Sequence, residues 1–215
     1  VEFIFRSGDI DNRFGRLRSA DAMQEGSRLH RIIQKSMGED YQAEVPLTIT
    51  EESELYNLTI EGRADGIYTQ LWPPEQEDGQ LSFELLPDES GESDDTKTGR
   101  TGNTEPREIV FIDEIKGTGR HPGSMEAPVY VHKAQAMCYA YIYARKNDLS
   151  EIAVQMTYCN LDTEQIKRFS ETFSFDALSM WFEELIEEYC KWMQFDVDNR
   201  TLRNESVEEL SFPYA

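Results

Sequence analysis

Ile109-Val110-Phe111-Ile112-Asp113-Glu114-Ile115-Lys116-Gly117 is the stretch that decides the fold. Its first four residues form a continuous apolar run, as a central strand covered on both faces requires. Three charged residues follow within the next four positions. Strand alternation puts Glu114 and Lys116 on one face, with Asp113 and Ile115 on the other. Burying an unpaired carboxylate or ammonium costs several kcal/mol, so these groups must pair with each other or hold a cation. A Glu114–Lys116 ion pair alone would satisfy that demand. The run therefore settles the strand before it settles any chemistry.

A second carboxylate in a matching context changes the balance. Thr59-Ile60-Glu61-Gly62-Arg63-Ala64-Asp65-Gly66-Ile67 reads as a strand with Asp65 set among small residues. Gly62, Ala64 and Gly66 leave room for another backbone or a ligand to approach closely. Carboxylates from two neighbouring strands, with a lysine two residues beyond one of them, can hold a divalent cation beside an amine. Oxygen ligands of this kind suit Mg²⁺ or Mn²⁺. Such a cation polarises a phosphoryl oxygen and lowers the pKa of bound water, while the lysine positions or deprotonates that water.

Around these two strands the pattern alternates between helix and strand. Ala22, Gly26, Leu29, Ile33 and Met37 recur at helical spacing. They predict a helix from Ser19 to Met37, capped by Ser19 or Asp21 and stopped at Gly38. Strands are expected over Tyr41–Thr50 and Leu55–Leu71, with a turn at Glu51, Glu52 and Ser53. A helix fits Ala127–Lys146, and strands fit Glu151–Cys159 and Gln165–Phe173 with a turn at Asn160-Leu161-Asp162. The last helix is expected to be capped by Asp176 and to bury Leu178, Trp181, Leu185, Tyr189 and Trp192. Its Glu183, Glu184, Glu187 and Glu188 form a solvated face. The order α-β-β-β-α-β-β-α implies an α/β fold, a mixed sheet with helices on its faces.

One domain is expected over residues 1–195, followed by a polar linker over 196–215. Within it, residues 73–107 carry ten acids against three bases and read as an acidic, partly flexible surface insertion. The whole chain of 215 residues has 21 Lys plus Arg against 42 Asp plus Glu, a formal charge of −21. Such acidity argues against a general nucleic-acid coat, because non-specific binding rests on neutralising phosphates. A local site that handles DNA remains compatible with it. No stretch approaches the ~18–20 apolar residues of a membrane span, and no basic-then-apolar start marks a signal peptide. Cys138, Cys159 and Cys190 are odd in number and scattered, as in a cytoplasmic protein with reduced thiols.

Taken together, Gly62-Arg63-Ala64-Asp65, then Asp113-Glu114-Ile115-Lys116-Gly117-Thr118, then Gln135-Ala136-Met137-Cys138-Tyr139 resembles the PD-(D/E)XK nuclease superfamily. The likeness is to its RecB-type and CRISPR-adaptation exonuclease branch, spans roughly residues 20–160, and includes a helix-borne histidine in Gly26-Ser27-Arg28-Leu29-His30. It implies a restriction-endonuclease-like mixed β-sheet and a Mg²⁺- or Mn²⁺-dependent DNA exonuclease. It further implies His30, Asp65, Glu114 and the Ile115 carbonyl as metal ligands, and Lys116 as the catalytic lysine. Gln135 and Tyr139 would line the site and hold Lys116 or a DNA phosphate. A histidine ligand makes Mn²⁺ plausible as the preferred ion in vitro.

Other residues are set aside at this level. Glu44, on the first strand, can point to the same pocket or serve as a surface or salt-bridge residue, the reading preferred here, and His121 and His132 are lesser candidates for DNA contact. Some nucleases of this kind carry a four-cysteine iron–sulfur cluster. Three scattered cysteines cannot ligate one within a single chain, so no cluster is expected, and Cys138 and Cys159 are read as core. The chain opens at Val1, so residues upstream are expected. Its end, Ser211-Phe212-Pro213-Tyr214-Ala215, is similar to the entry into the motor of XPD/DinG-type helicases. That implies a helicase domain in the same parent chain, in a DNA repair or recombination protein. A catalytically silent nuclease-like module that grips DNA or a protein partner is the alternative, as is an acidic interaction domain.

Overall fold

A computed structural model describes residues 19–52, 57–72 and 106–208; for residues 19–25 and Glu208 it describes the backbone only. Helix α1 (Ser19–Ser36) leads into strands β1 (Gln42–Glu52), β2 (Asn57–Trp72) and β3 (Arg107–Thr118). A short 3₁₀ turn (Pro122–Ser124) precedes helix α2 (Tyr130–Lys146), strands β4 (Glu151–Asn160) and β5 (Ile166–Ser174), and helix α3 (Phe175–Glu208). The expected element order holds, and so does the expected α/β class. Nearly all of the 73–107 insertion, the turn at Ser53 and the Ser211–Ala215 motif lie outside the described residues, as does Val1.

The five strands form one sheet in the order β1-β2-β3-β4-β5. β3 and β4 are parallel and every other neighbouring pair is antiparallel. The parallel pair follows from the connection: α2 lies between β3 and β4 in sequence, and only a crossover of that length returns the chain in the same direction. Ile109, Phe111, Ile112 and Ile115 are all buried, so β3 is covered on both faces as its composition requires. On one face, α2 settles into the main core with Ala136, Ala140 and Ala144, each fully buried. α3 follows it there, stacking Phe182 on Tyr141 with ring centroids 4.0 Å apart. On the other face, α1 places Leu29 and Ile33 against Ile115, Cys159 and Leu161. Cys138 and Cys159 are core residues, and all three cysteines are free.

Three local expectations change. Ser174, not Asp176, caps α3: its Oγ accepts from the Ala177 N–H at 3.3 Å. The buried stripe of α3 is Leu178, Phe182 and Leu185, whereas Trp192 is 40% exposed because the helix has by then run past the sheet. The polar stretch read as a linker continues the helix through Glu208. Its sequence offers a helix enough: Arg200 pairs with Asp196 and Gln194 with Asp198, each one turn apart.

Strand β2 departs from simple alternation at Asp65. Ala64 and Ile67 both line the main core although they are three residues apart. Correspondingly, a Cβ at Gly62 would point into the Tyr139 ring of α2, while one at Gly66 would point into the ring of Tyr41. Opposite this kink, Glu44 of β1 has φ 56°, a left-handed conformation that costs a non-glycine residue about 1–2 kcal/mol. The small residues of β2 thus make room for tyrosine rings of this same chain, not for an incoming backbone. A Cβ at Gly66 would lie 1.8 Å from Tyr41 Cζ. Gly66→Ala must therefore expel that ring and break the 2.9 Å bond from Tyr41 Oη to Asp113 Oδ2. The expected loss is about 1–3 kcal/mol of stability, read as a lowered urea midpoint; an unchanged midpoint would contradict this packing.

Candidate metal centre

β2 and β3 pair from Trp72↔Arg107 up to Gly66↔Asp113, and then part. Beyond that point β2 pairs with β1 alone, and β3 with β4 alone. Asp65 and Glu114 are the first residues past the last pair, so they stand side by side in the fork. Separation leaves backbone donors without a ladder partner, and Asp65 meets one of them: its Oδ2 accepts the Ile115 N–H at 2.7 Å. The Ile115 side chain is buried under α1. Its peptide is thereby fixed beside Asp65.

Helices reach the fork from both faces. From α1, His30 brings Nδ1 to 3.5 Å from Asp65 Oδ1. From the other face, Lys116 Nζ donates to Glu114 Oε1 at 2.6 Å and to Gln135 Oε1 of α2 at 3.2 Å. Gln135 Nε2 in turn donates to Tyr139 Oη at 3.1 Å. His30, Asp65, Glu114, Ile115, Lys116, Gln135 and Tyr139 are accordingly brought to one place by four elements of the fold, α1, β2, β3 and α2.

Asp113 has a separate life. It is buried on the opposite face of β3, where Thr157 Oγ1 donates to its Oδ1 at 2.7 Å and Tyr41 Oη to its Oδ2. Burial raises its pKa against the pull of those hydroxyl donors. His121 caps the 3₁₀ turn by accepting the Gly123 N–H, and His132 Nδ1 lies 3.1 Å from Tyr158 Oη. Neither histidine enters the fork. A concavity of about 510 Å³ bordered by Asp40, Gln70 and Glu108 also contains none of the fork residues.

Two residues at the centre were not singled out by sequence, and a third was set aside. Gln34, one helical turn after His30, donates from Nε2 to the Asp65 carbonyl at 2.9 Å and to Glu44 Oε1 at 3.0 Å. Its spacing from His30 was the available signal. Arg63 Nε pairs with Glu44 Oε2 at 2.7 Å. Glu44 is an exposed salt-bridge residue, as its sequence suggested. Yet His30, Glu44 and Asp65 each offer a ligand atom within 4.8 Å of the other two.

Electrostatics set the cation question. Glu114 Oε2 is buried and, among the described residues, has no hydrogen-bond partner. Burial, reinforced by the Asp65 charge, pushes the Glu114 carboxyl up to about 7. His30 is raised too, chiefly by its hydrogen bond to Asp65. An orphaned buried oxygen beside a carboxylate and an imidazole fits an oxygen-seeking divalent cation, which would relieve both the desolvation and the repulsion.

A pH dependence follows. Both groups have folded values above their unfolded ones, so the stability they contribute is full below pH 4.5 for Glu114 and below 6.5 for His30. It is lost as pH rises through the folded values. In EDTA, the melting temperature is expected to fall from pH 5 to pH 8, and Glu114→Gln to flatten that fall. A wild-type profile rising across this range would contradict the assignment.

No protein-family model and no curated protein matches the chain. A solved structure described as "Crystal structure of SSO0001" is similar with a TM-score of 0.44 and 15% identity, over 78% of this chain. The chain spans about 60% of the length of that one. Among the described residues, no helix is long and apolar enough to cross a membrane.

Proposed function

We propose that this protein is a Mg²⁺- or Mn²⁺-dependent deoxyribonuclease of the PD-(D/E)XK type, an exonuclease hydrolysing DNA phosphodiester bonds. The observation that carries the reading is Glu114: one carboxylate oxygen holds Lys116, and the other is buried, has no hydrogen-bond partner among the described residues, and feels the Asp65 charge. His30, Asp65, Glu114 and the Ile115 carbonyl would hold the cation. When bound, it would neutralise charge on the phosphoryl group and on the leaving oxygen.

The chain's own residues do the rest. Glu114 and Gln135 occupy two of the three Lys116 donors, leaving one for a water or a phosphate oxygen. Tyr139 braces Gln135, and Gly62 gives the tyrosine ring its place. Hydrolysis adds the oxygen of water to phosphorus and breaks the bond to the departing sugar oxygen, which takes up a proton. Lys116 orients the attacking water along that line. The test is cleavage of end-labelled single- and double-stranded DNA with Mg²⁺, Mn²⁺ or EDTA. Metal-dependent shortening from the ends supports the reading; no cleavage of either substrate with either ion overturns it.

A chain of charge −21 is expected to hold DNA weakly by itself. We place it accordingly beside a helicase motor in a longer DNA repair or recombination protein, where tethering would supply strands at high effective concentration. Joining the downstream segment of the parent gene should raise DNA affinity and cleavage. A segment without an ATP-binding motif would dismiss the motor.

A further inference from the structure

We propose that the outer face of α1 is a strand-holding surface. Arg31 and Lys35, with Arg168 at the helix end, take the backbone phosphates of a single DNA strand and lead it to the fork. The proposal rests on the nuclease reading above and adds to it the residues that hold the substrate. Its first ground is charge. From Asn12 to Gly38 the chain carries six bases, Arg13, Arg16, Arg18, Arg28, Arg31 and Lys35, against two acids, Asp21 and Glu25. The whole chain has the opposite balance, 42 acids to 21 bases. Arg13, Arg16 and Arg18 lie outside the described residues; the described part of the island is the helix, which has no acid from Gly26 to Met37. A polyanion repelled by the net charge of the protein is drawn to such an island.

Placement is the second ground. Arg28, Arg31 and Lys35 recur at spacings of three and four, so they share one face of the helix, and all three are exposed. Arg28 is matched by Glu164 at 2.5 Å. Among the described residues Arg31 and Lys35 form no ion pair, and Arg31 donates only its Nε, to the Ser27 carbonyl at 3.1 Å. Arg168 reaches the end of the helix from β5, its guanidinium 3.7 Å from the Met37 sulfur, a weak acceptor. This stripe adjoins the fork. His30, the residue before Arg31, stands 3.5 Å from Asp65, and Gln34, three residues after it, donates to the Asp65 carbonyl. Glu44, an exposed acid on this side of the fork, is already matched by Arg63 at 2.7 Å. Ile32 lies four residues after Arg28 and three before Lys35, and is 44% exposed. The unstacked bases of a single strand can cover such a side chain, whereas a duplex keeps its bases stacked and offers the helix its phosphates alone.

The experiment follows the fluorescence anisotropy of a labelled single strand, and of a duplex of equal length, on the full chain in EDTA from about 50 to 200 mM salt. Wild type is compared with the double variant Arg31→Gln/Lys35→Gln. A second pair, Lys146→Gln/Arg203→Gln, removes the same charge from the helices on the opposite face of the sheet. Glutamine is a good helix former, and circular dichroism melts check the fold. Each phosphate contact on a single strand contributes about 0.7 to the slope of log affinity against log salt. The α1 pair is expected to lower that slope by about 1.4, equally for strands of different sequence, and the distant pair to leave it unchanged. Equal losses from both pairs would reduce the effect to net charge and overturn the proposal, as would a wild type that binds neither DNA or prefers the duplex. Cleavage of end-labelled DNA with Mn²⁺ tests the nuclease reading separately. Cleavage by wild type with an unchanged slope in the α1 pair overturns the strand-holding surface alone; a lowered slope with no cleavage by wild type overturns the nuclease reading alone.

Discussion

Lys116→Ala is expected to lower DNA cleavage by about 10²–10⁴-fold while leaving cation binding in place, the usual scale for a positioned acid–base or water-orienting group. The lysine lies one residue beyond Ile115, in the part of β3 that pairs only with β4. Its ammonium bridges Glu114 Oε1 and Gln135 Oε1, so its position is set by a strand and a helix together. Removing it takes away a donor without removing a ligand. It also frees Glu114 Oε1, so the carboxylate remains available to a cation. Purified variant, end-labelled DNA and Mn²⁺ calorimetry check both halves. Full activity in Lys116→Ala would contradict the assignment, and loss of cation binding would make the lysine a structural support. Gln135→Ala should reproduce a weaker form of the same loss, because it removes the brace and keeps the amine.

Asp65→Ala and Glu114→Gln carry the second large effect: cleavage is expected to fall to background, with stability in EDTA unchanged or raised. The sign of the stability term follows from the site. Glu114 is 2% exposed, has one oxygen without a hydrogen-bond partner among the described residues, and is pushed up to about 7 by burial and by Asp65. Without a cation the two acids repel each other, and removal of either relieves that repulsion. Asp65→Ala also deprives the Ile115 N–H of its acceptor, which offsets part of the gain. Glu114→Gln is accordingly the cleaner variant, and its melting temperature in EDTA at pH 8 should exceed that of wild type. Addition of Mn²⁺ should stabilise wild type and leave Glu114→Gln less responsive. A variant destabilised in EDTA as much as by loss of a core residue would show that the acid is held by contacts within the chain.

Much of this was legible in one dimension because the signals were local. An apolar run of four residues at Ile109–Ile112 can be satisfied only by burial on both faces. The helical recurrence of Leu29 and Ile33, and of Ala136, Ala140 and Ala144, marks faces that need a sheet to cover. From those follow the α/β class, the order of the described elements and the pairing of Glu114 with Lys116. The motif residues His30, Asp65, Glu114, Lys116, Gln135 and Tyr139 were likewise named by spacing and resemblance. Composition misled where local polarity stood for lack of structure: Asp196–Glu208 is polar, yet pairs such as Arg200 with Asp196 suit a helix that has left the sheet behind.

By itself, then, the sequence determined which segments are strands and helices and which polar residues must be buried among them, since periodicity and desolvation act within a few residues. Only the tertiary structure decided where those residues meet. The fork between β2 and β3, the kink that separates Ala64 from Gly66, and the turning of Glu44 toward His30 and Asp65 depend on which strand lies beside which. Gly62 and Gly66 illustrate the limit: their sequence asks for space, but the rings of Tyr139 and Tyr41 that fill it come from 77 residues downstream and 25 upstream. Pairing of distant strands and crossover of a helix bring such groups together, and no local pattern encodes a contact whose partner is set by topology.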